Sequence, residues 1–569
     1  MPKHPSLERL QFLLKEATNT DTGHREFSIH KKYYNGDQLP PDVLQVLSER
    51  GQPPIWENIY HKIGNKIIGF KLAGKQDIKV SPRQRNDKNI AQMLTDILKS
   101  ITDTEEYALQ KHSNDVDLLL GMSVWQVRIR ELREEDITGQ KLCEVYLSHI
   151  PTESFYIDPM SQRKDAEDSK FFHKILLFDA DDYKQCFPKS SYVFSDNDST
   201  RELCNVCESW VWHNGAWTRS FWNLDVPEIL HQDIDPFGFG HPFAIRKFNI
   251  ENNGKFFGLY RNIIPLQDAV NFSLIKLANK LGSIKMLIET DAVEDIETFA
   301  AHFAQDDSIS AVKSGTISNK KFEIVNQNAE IAQIGQTIVA YRQQADLLTG
   351  LNEEALGQAV NRLSGYAIEQ RQNVGLIGVQ QYVWASNSID KAAFAKVIHL
   401  IKRFYKSEQI LKIVEQEDAI KELYINKIER NEFGEIVFDE HGNPKRTQTF
   451  KDIGHFDVTL NTIPQTQGSL SERFKSNIEL MKIIAQVNPN IVPVMLPLIL
   501  KDAQSPISEE VLALIKAQSA PNPAAQQAEQ LQMQNIATEL ELNKAKAEKL
   551  RAEAARANAE SLNKAGGYK

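Results

Sequence analysis

Cysteine is scarce: four residues in a chain of 569. That excludes a disulfide framework of the kind that staples small secreted domains. Cys204 and Cys207 form a C-x-x-C, but a structural zinc site needs two further ligands at matching spacing. No second C-x-x-C exists, and His213 is the nearest candidate ligand. On a strand, residues three apart point to opposite faces, so no metal is expected there. Long apolar runs are also missing. The longest, Ile491 to Leu500, has ten residues and contains Pro493 and Pro497, too short to cross a bilayer. No N-terminal stretch has the basic-then-apolar shape of a signal peptide. A soluble protein made in a cytoplasm is expected. Catalytic signatures are absent as well: no G-x-x-x-x-G-K-[ST], no G-x-S-x-G, no H-E-x-x-H. The pairs Asp181-Asp182 and Asp306-Asp307 sit in polar, loop-like stretches, and Asp439 to Asn443 reads as a turn rather than a calcium loop. Neither an enzyme nor a cofactor is expected. The net charge of −10 has the wrong sign for an ordinary DNA-binding protein, whose affinity comes from neutralising phosphates.

What is present is a chain too long for one core. With 41% hydrophobic and 25% charged residues, it should form about two to four globular subdomains. Residues 1–150 mix helices with short strands. Lys88 to Ile101 carries apolar residues at helical spacing. Residues 142–250 read as strands, among them a hairpin turning at His213-Asn214-Gly215. In 259–282, Ile263, Leu266, Val270, Leu274, Leu277 and Leu281 recur at three- and four-residue steps, and Gly282 ends the helix. Lys276 and Lys280 share one face of it. Residues 283–328 read as a small α/β unit: strands over 284–289, 309–315 and 321–326, and a helix over 293–305. A second long helix follows from Glu330 to Leu348. Tyr366 to about Tyr405 is helical and would span roughly 60 Å at about 1.5 Å per residue. Residues 409–463 return to strands, with turns at Asn431-Glu432-Phe433-Gly434 and His441-Gly442-Asn443-Pro444, and are expected to rejoin the earlier sheet.

The C-terminal fifth is helical in pattern. Residues 470–517 include a good helix start at Ser505-Pro506, with Glu509 and Glu510 in the first turn. A linker, Ser519 to Ala524, contains Pro521 and Pro523. Beyond it Met533, Ile536, Leu540, Asn543, Ala547, Leu550, Ala554, Ala557 and Ser561 recur at alternating steps of three and four, a coiled-coil period.

The most informative stretch is Leu347 to Gln372, LLTGLNEEALGQAVNRLSGYAIEQRQ. Two helical patterns meet there, broken at Thr349-Gly350 and Ser364-Gly365. Glycine costs about 1 kcal/mol inside a helix, so two such steps around a polar insert point to a deliberate bend. The insert holds Asn352, Glu353, Glu354, Asn361 and Arg362. The pattern TG-L-N-E-E-x-L-G … SG-x-A-I-x-x-R-Q resembles the tunnel-loop region of the portal proteins of short-tailed, podovirus-type phages. Three further segments resemble that family in the same order: YYNGDQLPPDVLQVLSERGQPPIWEN over 33–58, GLYRNIIPLQDAVN over 258–271, and HFDVTLNTIP over 455–464 followed by Ser471-Glu472-Arg473. Together they span roughly residues 30 to 515.

The resemblance implies an α+β, mainly α, portal fold. Its parts would be an N-terminal wing (1–258), stem helix 1 (259–282), a clip (283–328), stem helix 2 (329–348), a tunnel loop (349–365), a long wing or channel helix (366–408), wing strands (409–465), a crown (466–518) and a C-terminal helical barrel segment (519–569). It implies a homododecameric ring at one capsid vertex of the virion, assembled in the host cytoplasm. Double-stranded DNA would pass non-specifically, which suits a net-negative chain multiplied by twelve. The other implied partners are the terminase large subunit, which carries the separate ATPase motor, tail adaptor proteins, and major capsid and scaffolding proteins; no membrane is implied. Asn352, Glu353, Glu354, Asn361 and Arg362 would face the channel, Gly350 and Gly365 would make the bends, and Arg261, Lys276 and Lys280 would face the channel or a partner. Two other classes stand beside this reading: a helical virion scaffold, and a DNA-processing nuclease, which would require clustered metal-binding acids.

Overall fold

The computed structural model describes residues 4–464, apart from 73, 84–87, 195–201, 283–284, 304–308, 350–364, 415–419 and stretches within 432–455, together with residues 477–483. Met1–Pro464 forms one compact unit and Gln465–Lys569 a second. In the second unit the described residues, 477–483, are helical; the rest of the crown and the whole tail seam lie outside the described residues.

Four helices open the first unit: α1 (Leu7–Asn19), α2 (His24–Asn35), α3 (Pro41–Glu49) and α4 (Ile59–Leu72). Ser6 caps α1 by accepting from the Arg9 amide, and α2 ends at Gly36 with a left-handed φ of 95°, the usual glycine stop. Then come β1 (Gly74–Pro82), α5 (Lys88–Thr102), α6 (Glu105–Leu120), β2 (Met122–Glu135), β3 (Lys141–His149), β4 (Phe155–Ile157), β5 (Phe171–Asp179), α7 (Ala180–Cys186), β6 (Leu203–His213), β7 (Ala216–Asn223), β8 (Glu228–Ile234), β9 (Phe243–Lys247), β10 (Asn249–Ile250) and β11 (Phe256–Phe257). At 14 residues, β2 is far longer than the short strands expected of this region.

The strands make a five-stranded sheet, β4-β5-β6-β7-β8, and a three-stranded one, β3-β2-β9. The β6–β7 hairpin turns at Asn214 (φ 52°) and Gly215 (φ 85°), the pair of positive angles that a tight hairpin needs. Cys207 packs with Leu10 and Leu13 of α1 and Trp222, whereas Cys204 packs with Tyr183 and Phe194. The two thiols thus lie in separate clusters, as strand alternation requires.

The expected helix at 259–282 is split. A short 3-10 turn, Leu259–Asn262, precedes α8 (Ile264–Leu281). Pro265, at the first turn, lacks an amide and so fits a helix start rather than its interior. Next come β12 (Met286–Ile288), α9 (Ile296–Phe303) and β13 (Phe322–Ile324), and β12 pairs with β13. The strand expected at 309–315 does not form: described residues 309–313 are irregular and 314–320 are a turn. The Lys313 amide and the Thr316 hydroxyl both donate to the Ala292 carbonyl, so this segment ties down a loop instead of joining a ladder.

The last elements of the first unit are α10 (Asn328–Thr349), α11 (Gly365–Phe404), β14 (Gln409–Val414), β15 (Ile420–Ile425) and β16 (Phe456–Pro464). These strands do not extend either large sheet. β14 pairs with β15, and β16 pairs along its length with β1, from Gly74↔Pro464 to Pro82↔Phe456. The apolar residues Ile78, Val80 and Val458 pack under α5 and α11 with Leu94, Leu98 and Val397, so the core there is closed by helices on a two-stranded ribbon. Helical residues outnumber strand residues, as expected.

Candidate channel elements and the root of the stem

The helix α8 buries Gln267, Val270, Asn271 and Ile275. Two polar side chains, four residues apart on an otherwise apolar stripe, must find partners, because an unpaired buried amide is costly. They find them in the loop ahead of α4. The Gln267 Oε1 accepts from the Ile59 and Tyr60 amides at 3.0 and 3.3 Å, and its Nε2 donates to the Glu57 carbonyl at 2.6 Å. Asn271 accepts from the Glu57 amide at 3.1 Å and donates to Gln38 at 2.8 Å. Gln38 in turn donates to the Tyr33 carbonyl and to Asn58, each at 3.0 Å. Asn58 donates to the Tyr34 carbonyl and accepts from the His61 amide, which caps α4. So the 33–58 segment and the 258–271 segment, 200 residues apart in sequence, meet in one hydrogen-bonded root.

Aromatic packing closes the other side of the root. Tyr60 and Tyr260 stack with centroids 4.0 Å apart, and each hydroxyl donates to the other's backbone carbonyl. The approach is close enough that a Cβ on Gly64 would lie 2.4 Å from the Tyr260 hydroxyl. A Cβ on Gly258 would lie 2.4 Å from the carbonyls of Leu119 and Leu120, so glycine is required there for backbone contact.

At the far end of α8, Lys280 and Lys276 reach Glu330 of α10 at 2.7 and 3.6 Å. Lys280 also donates to Gln327 at 3.1 Å. Near the root, Arg342 of α10 grips Glu57. The end of α8 therefore meets the start of α10, and the start of α8 lies near the later turns of α10, so the helices run antiparallel. Arg261 holds Glu26 at 2.7 and 2.5 Å and Glu251 at 2.8 Å, over the ring of Phe257. Three residues expected to face a channel or a partner thus all make ion pairs within the subunit.

The helix α10 is described as far as Thr349 and α11 from Gly365. Gly350, Asn352, Glu353, Glu354, Asn361 and Arg362 lie outside the described residues. Further along, α11 is anchored by a buried cluster of charges. Lys71 of α4 pairs with Asp115 of α6 at 2.9 Å, and Lys111 of α6 pairs with Asp390 of α11 at 2.8 Å and Asp115 at 3.0 Å. The Trp125 indole donates to Asp390 at 3.0 Å, and Ser386 donates to Asp115 at 2.6 Å. Burial lowers the Lys71 ammonium to about 8, against the pull of Asp115. Burial would raise Asp115, but Lys111 and Lys71 outweigh it and hold the carboxyl at about 2. Such a group can bind, orient and fix helices; among the described residues no group of His, Cys, Asp and Glu is arranged to hold a metal ion.

None of the root or cluster residues was singled out as a site from the sequence. The signals were there to be read. Gln267 and Asn271, Lys111 and Asp115, and Ser386 and Asp390 are polar pairs four apart on helices that also carry apolar residues at helical spacing.

The family model described as Phage P22-like portal protein matches residues 12–223 and 228–560. A portal protein of Helicobacter pylori bacteriophage KHP30 is 32% identical over 542 residues, covering 92% of this chain and 86% of that protein.

Proposed function

This chain belongs to the phage P22-like portal protein family, and from that premise we propose how its parts divide the work. Its role is that of a portal, the head-to-tail connector through which a phage genome is packaged, and the family is a structural one rather than a family of enzymes. Among the described residues no helix is long and apolar enough to cross a membrane. In our reading α8 and α10 are the stem, residues 283–328 the clip, α11 the helix from channel to rim, and Leu351–Leu363 the tunnel segment. Twelve copies close head to tail at one vertex. The clip receives the terminase large subunit and later the tail adaptor proteins, while the wing meets the capsid and scaffolding proteins. DNA passes without being held.

One observation carries this assignment. The stem pair is locked to the body at one end by the polar root, yet it leaves large apolar side chains in solvent: Phe272 71% exposed, Leu281 67%, Leu347 73%. Apolar side chains left in solvent along an anchored helix pair suit contact with identical neighbours in a ring. Mass measurement of the assembled protein tests the ring, and genome packaging by a variant lacking residues 283–328 tests the clip. A monomer in solution contradicts the first assignment; full packaging by the deletion contradicts the second.

A further inference from the structure

Phe272 of α8 stands in solvent, 71% exposed. Its neighbours on the helix are occupied. Gln267 and Asn271 turn to the loop ahead of α4, and Leu274 and Leu277 pack against the cluster that holds Ile334 and Ile338 of α10. Helical residues step round by about 100°, so Phe272 points about 140–160° away from Leu274 and Leu277, on the side of α8 opposite α10. The helix α10 has a free side of its own. Gln336, Val339, Ala340 and Gln343 are exposed and lie round the helix from the buried Ile334 and Ile338. Four residues at this spacing surround one hollow on a helix surface, the hole that receives a knob when helices pack. From Ile331 to Tyr341 the helix carries no charged residue. An exposed helix face without charge is cheap to take out of water.

Knob and hole stand at one level of the stem. Lys280 reaches Gln327 and Glu330 at one end of the antiparallel pair, while Asn271 and Arg342 both hold Glu57 at the other. Phe272, next to Asn271, is therefore level with the turn just before Arg342, where Val339 and Ala340 lie. A channel that runs along the stem puts the ring axis along α8 and α10. Rotation about that axis carries each residue to the same level in the next copy, and a head-to-tail ring joins one side of a subunit to the other side of its neighbour. The two free sides, one on each helix and facing opposite ways, meet that requirement. We propose that Phe272 of each copy seats in the Gln336–Val339–Ala340–Gln343 hollow of the adjacent copy, so that the stem is joined α8 to α10 around the ring. This rests on the ring reading above. Two turns further along each helix the exposed Pro265 and Leu347 come level in the same way. The hollow offers DNA no cation, so a phosphate has nothing to bind there.

The test combines Phe272→Cys and Val339→Cys in one chain, with Cys186→Ser to silence the exposed native thiol. A disulfide forms only where Cβ atoms approach to about 3.5–4.5 Å. Assembled, oxidised protein should run as a ladder of covalent oligomers on a denaturing gel, and either single cysteine variant should run as a monomer. Phe272→Cys with Ala332→Cys, two turns out of level, should give no ladder. Phe272→Ala should make rings dissociate at a roughly tenfold higher subunit concentration, with the melt of the dissociated subunit unchanged. Rings seen by native mass that yield no ladder overturn the pairing and leave the ring reading standing. A ladder from the off-level pair alone overturns it too, as do dimers from Phe272→Cys alone, which would join α8 to α8. A Val339→Cys thiol as reactive to maleimide in assembled rings as in dissociated subunits puts that face on the open channel and also overturns it. A wild-type chain that never associates overturns the ring reading itself, and the pairing with it.

Discussion

In the body, Trp125, Trp210 and Trp222 are almost wholly buried, and four clusters of apolar residues fill the space between sheets and helices. On α8, α10 and the unit between them, Phe272, Leu281, Leu287 and Leu347 are each at least 65% exposed, and α9 buries no residue at all. The body closes its own core around those three rings, while Trp56, Trp212 and Trp384 stay 45–60% exposed at its surface. The pair α8 and α10 meets the body through the polar root and leaves Phe272, Leu281 and Leu347 in solvent. The difference separates two kinds of stability: one belongs to the subunit, the other appears only when copies meet. Substitutions in the two regions should therefore fail in different assays.

The sharpest break of that contrast is in the buried charge cluster, which belongs wholly to the subunit. Removing one partner of a buried pair leaves an uncompensated charge and costs about 3–5 kcal/mol. Asp390→Ala, which leaves Lys71 and Lys111 sharing Asp115 as their one carboxylate in the cluster and takes the acceptor from the Trp125 indole, should lower subunit stability by that amount in chemical denaturation. The paired change Asp390→Leu with Lys111→Met should cost far less, since both charges go together. The cluster also sets an acid limit. The Asp115 carboxyl is held at about 2, below its ordinary unfolded value of about 3.8. The unfolded chain therefore binds the proton first as pH falls. Stability from this group is complete above pH 4 or so and is lost as pH drops through about 2, and Asp115→Asn should flatten that part of a stability–pH curve. An unchanged curve would mean that the cluster does not anchor α11.

The opposite failure is expected on the stem. Phe272→Asp and Leu347→Asp replace side chains that are already more than two-thirds exposed. Subunit stability should stay within about 0.5 kcal/mol of wild type. Association should weaken by roughly 1.5–3 kcal/mol per buried side chain lost at each interface, read as rings falling apart on dilution. If both variants assemble normally, the exposed stem face is simply solvated and the contrast between the regions dissolves.

Between the two lies the root, where the subunit holds its stem. Gln267→Leu removes the side-chain partner of the Ile59 and Tyr60 amides and of the Glu57 carbonyl, leaving Ile59 and Glu57 their mutual backbone bond. A loss of about 1–3 kcal/mol is expected, and it should appear in both the subunit melt and ring assembly. Asn271→Asp keeps the acceptor for the Glu57 amide but removes the donor to Gln38 and buries a carboxylate facing the Gln38 oxygen, so its loss should be no smaller.

How much of this was legible follows from the same contrast. Local rules reached the hairpin at Asn214-Gly215, the α8 stripe ending at Gly282, and the opposite facing of Cys204 and Cys207. All three depend on residues close in sequence. The partners of β14, β15 and β16 were not legible, because pairing depends on which edges remain free once the body has packed. The strand expected at 309–315 failed because alternation alone cannot tell a ladder from a loop held at the Ala292 carbonyl. The root was visible as two motifs, but not as one site. Its bonds join positions about 200 residues apart, and no periodicity records that Gln267 must meet Glu57. The ion pairs of Arg261, Lys276 and Lys280 were hidden for the same reason, since Glu26, Glu251 and Glu330 come from other elements.

The smallest expected effect concerns the tunnel segment, and it sharpens the comparison by touching neither core nor interface. The sequence places its two breaks at Thr349-Gly350 and Ser364-Gly365, beside the described parts of α10 and α11. Alanine at both Gly350 and Gly365 should favour a continuous helix by about 1 kcal/mol per site. Subunit melting and ring mass should be those of wild type, because the root, the charge cluster and the stem face are untouched. Genome packaging or retention should nevertheless fall, since the polar segment would be drawn toward the channel wall. Glu353→Lys with Glu354→Lys should leave the bends intact and slow DNA passage instead, by placing cations next to phosphates. Salt should restore that passage, because such attraction is screened within about 8 Å at physiological ionic strength. Packaging rates at two salt concentrations separate the mechanisms: the glycine variant should be insensitive to salt and the charge variant rescued by it. Wild-type packaging in both would reduce the segment to an ordinary connector between two helices.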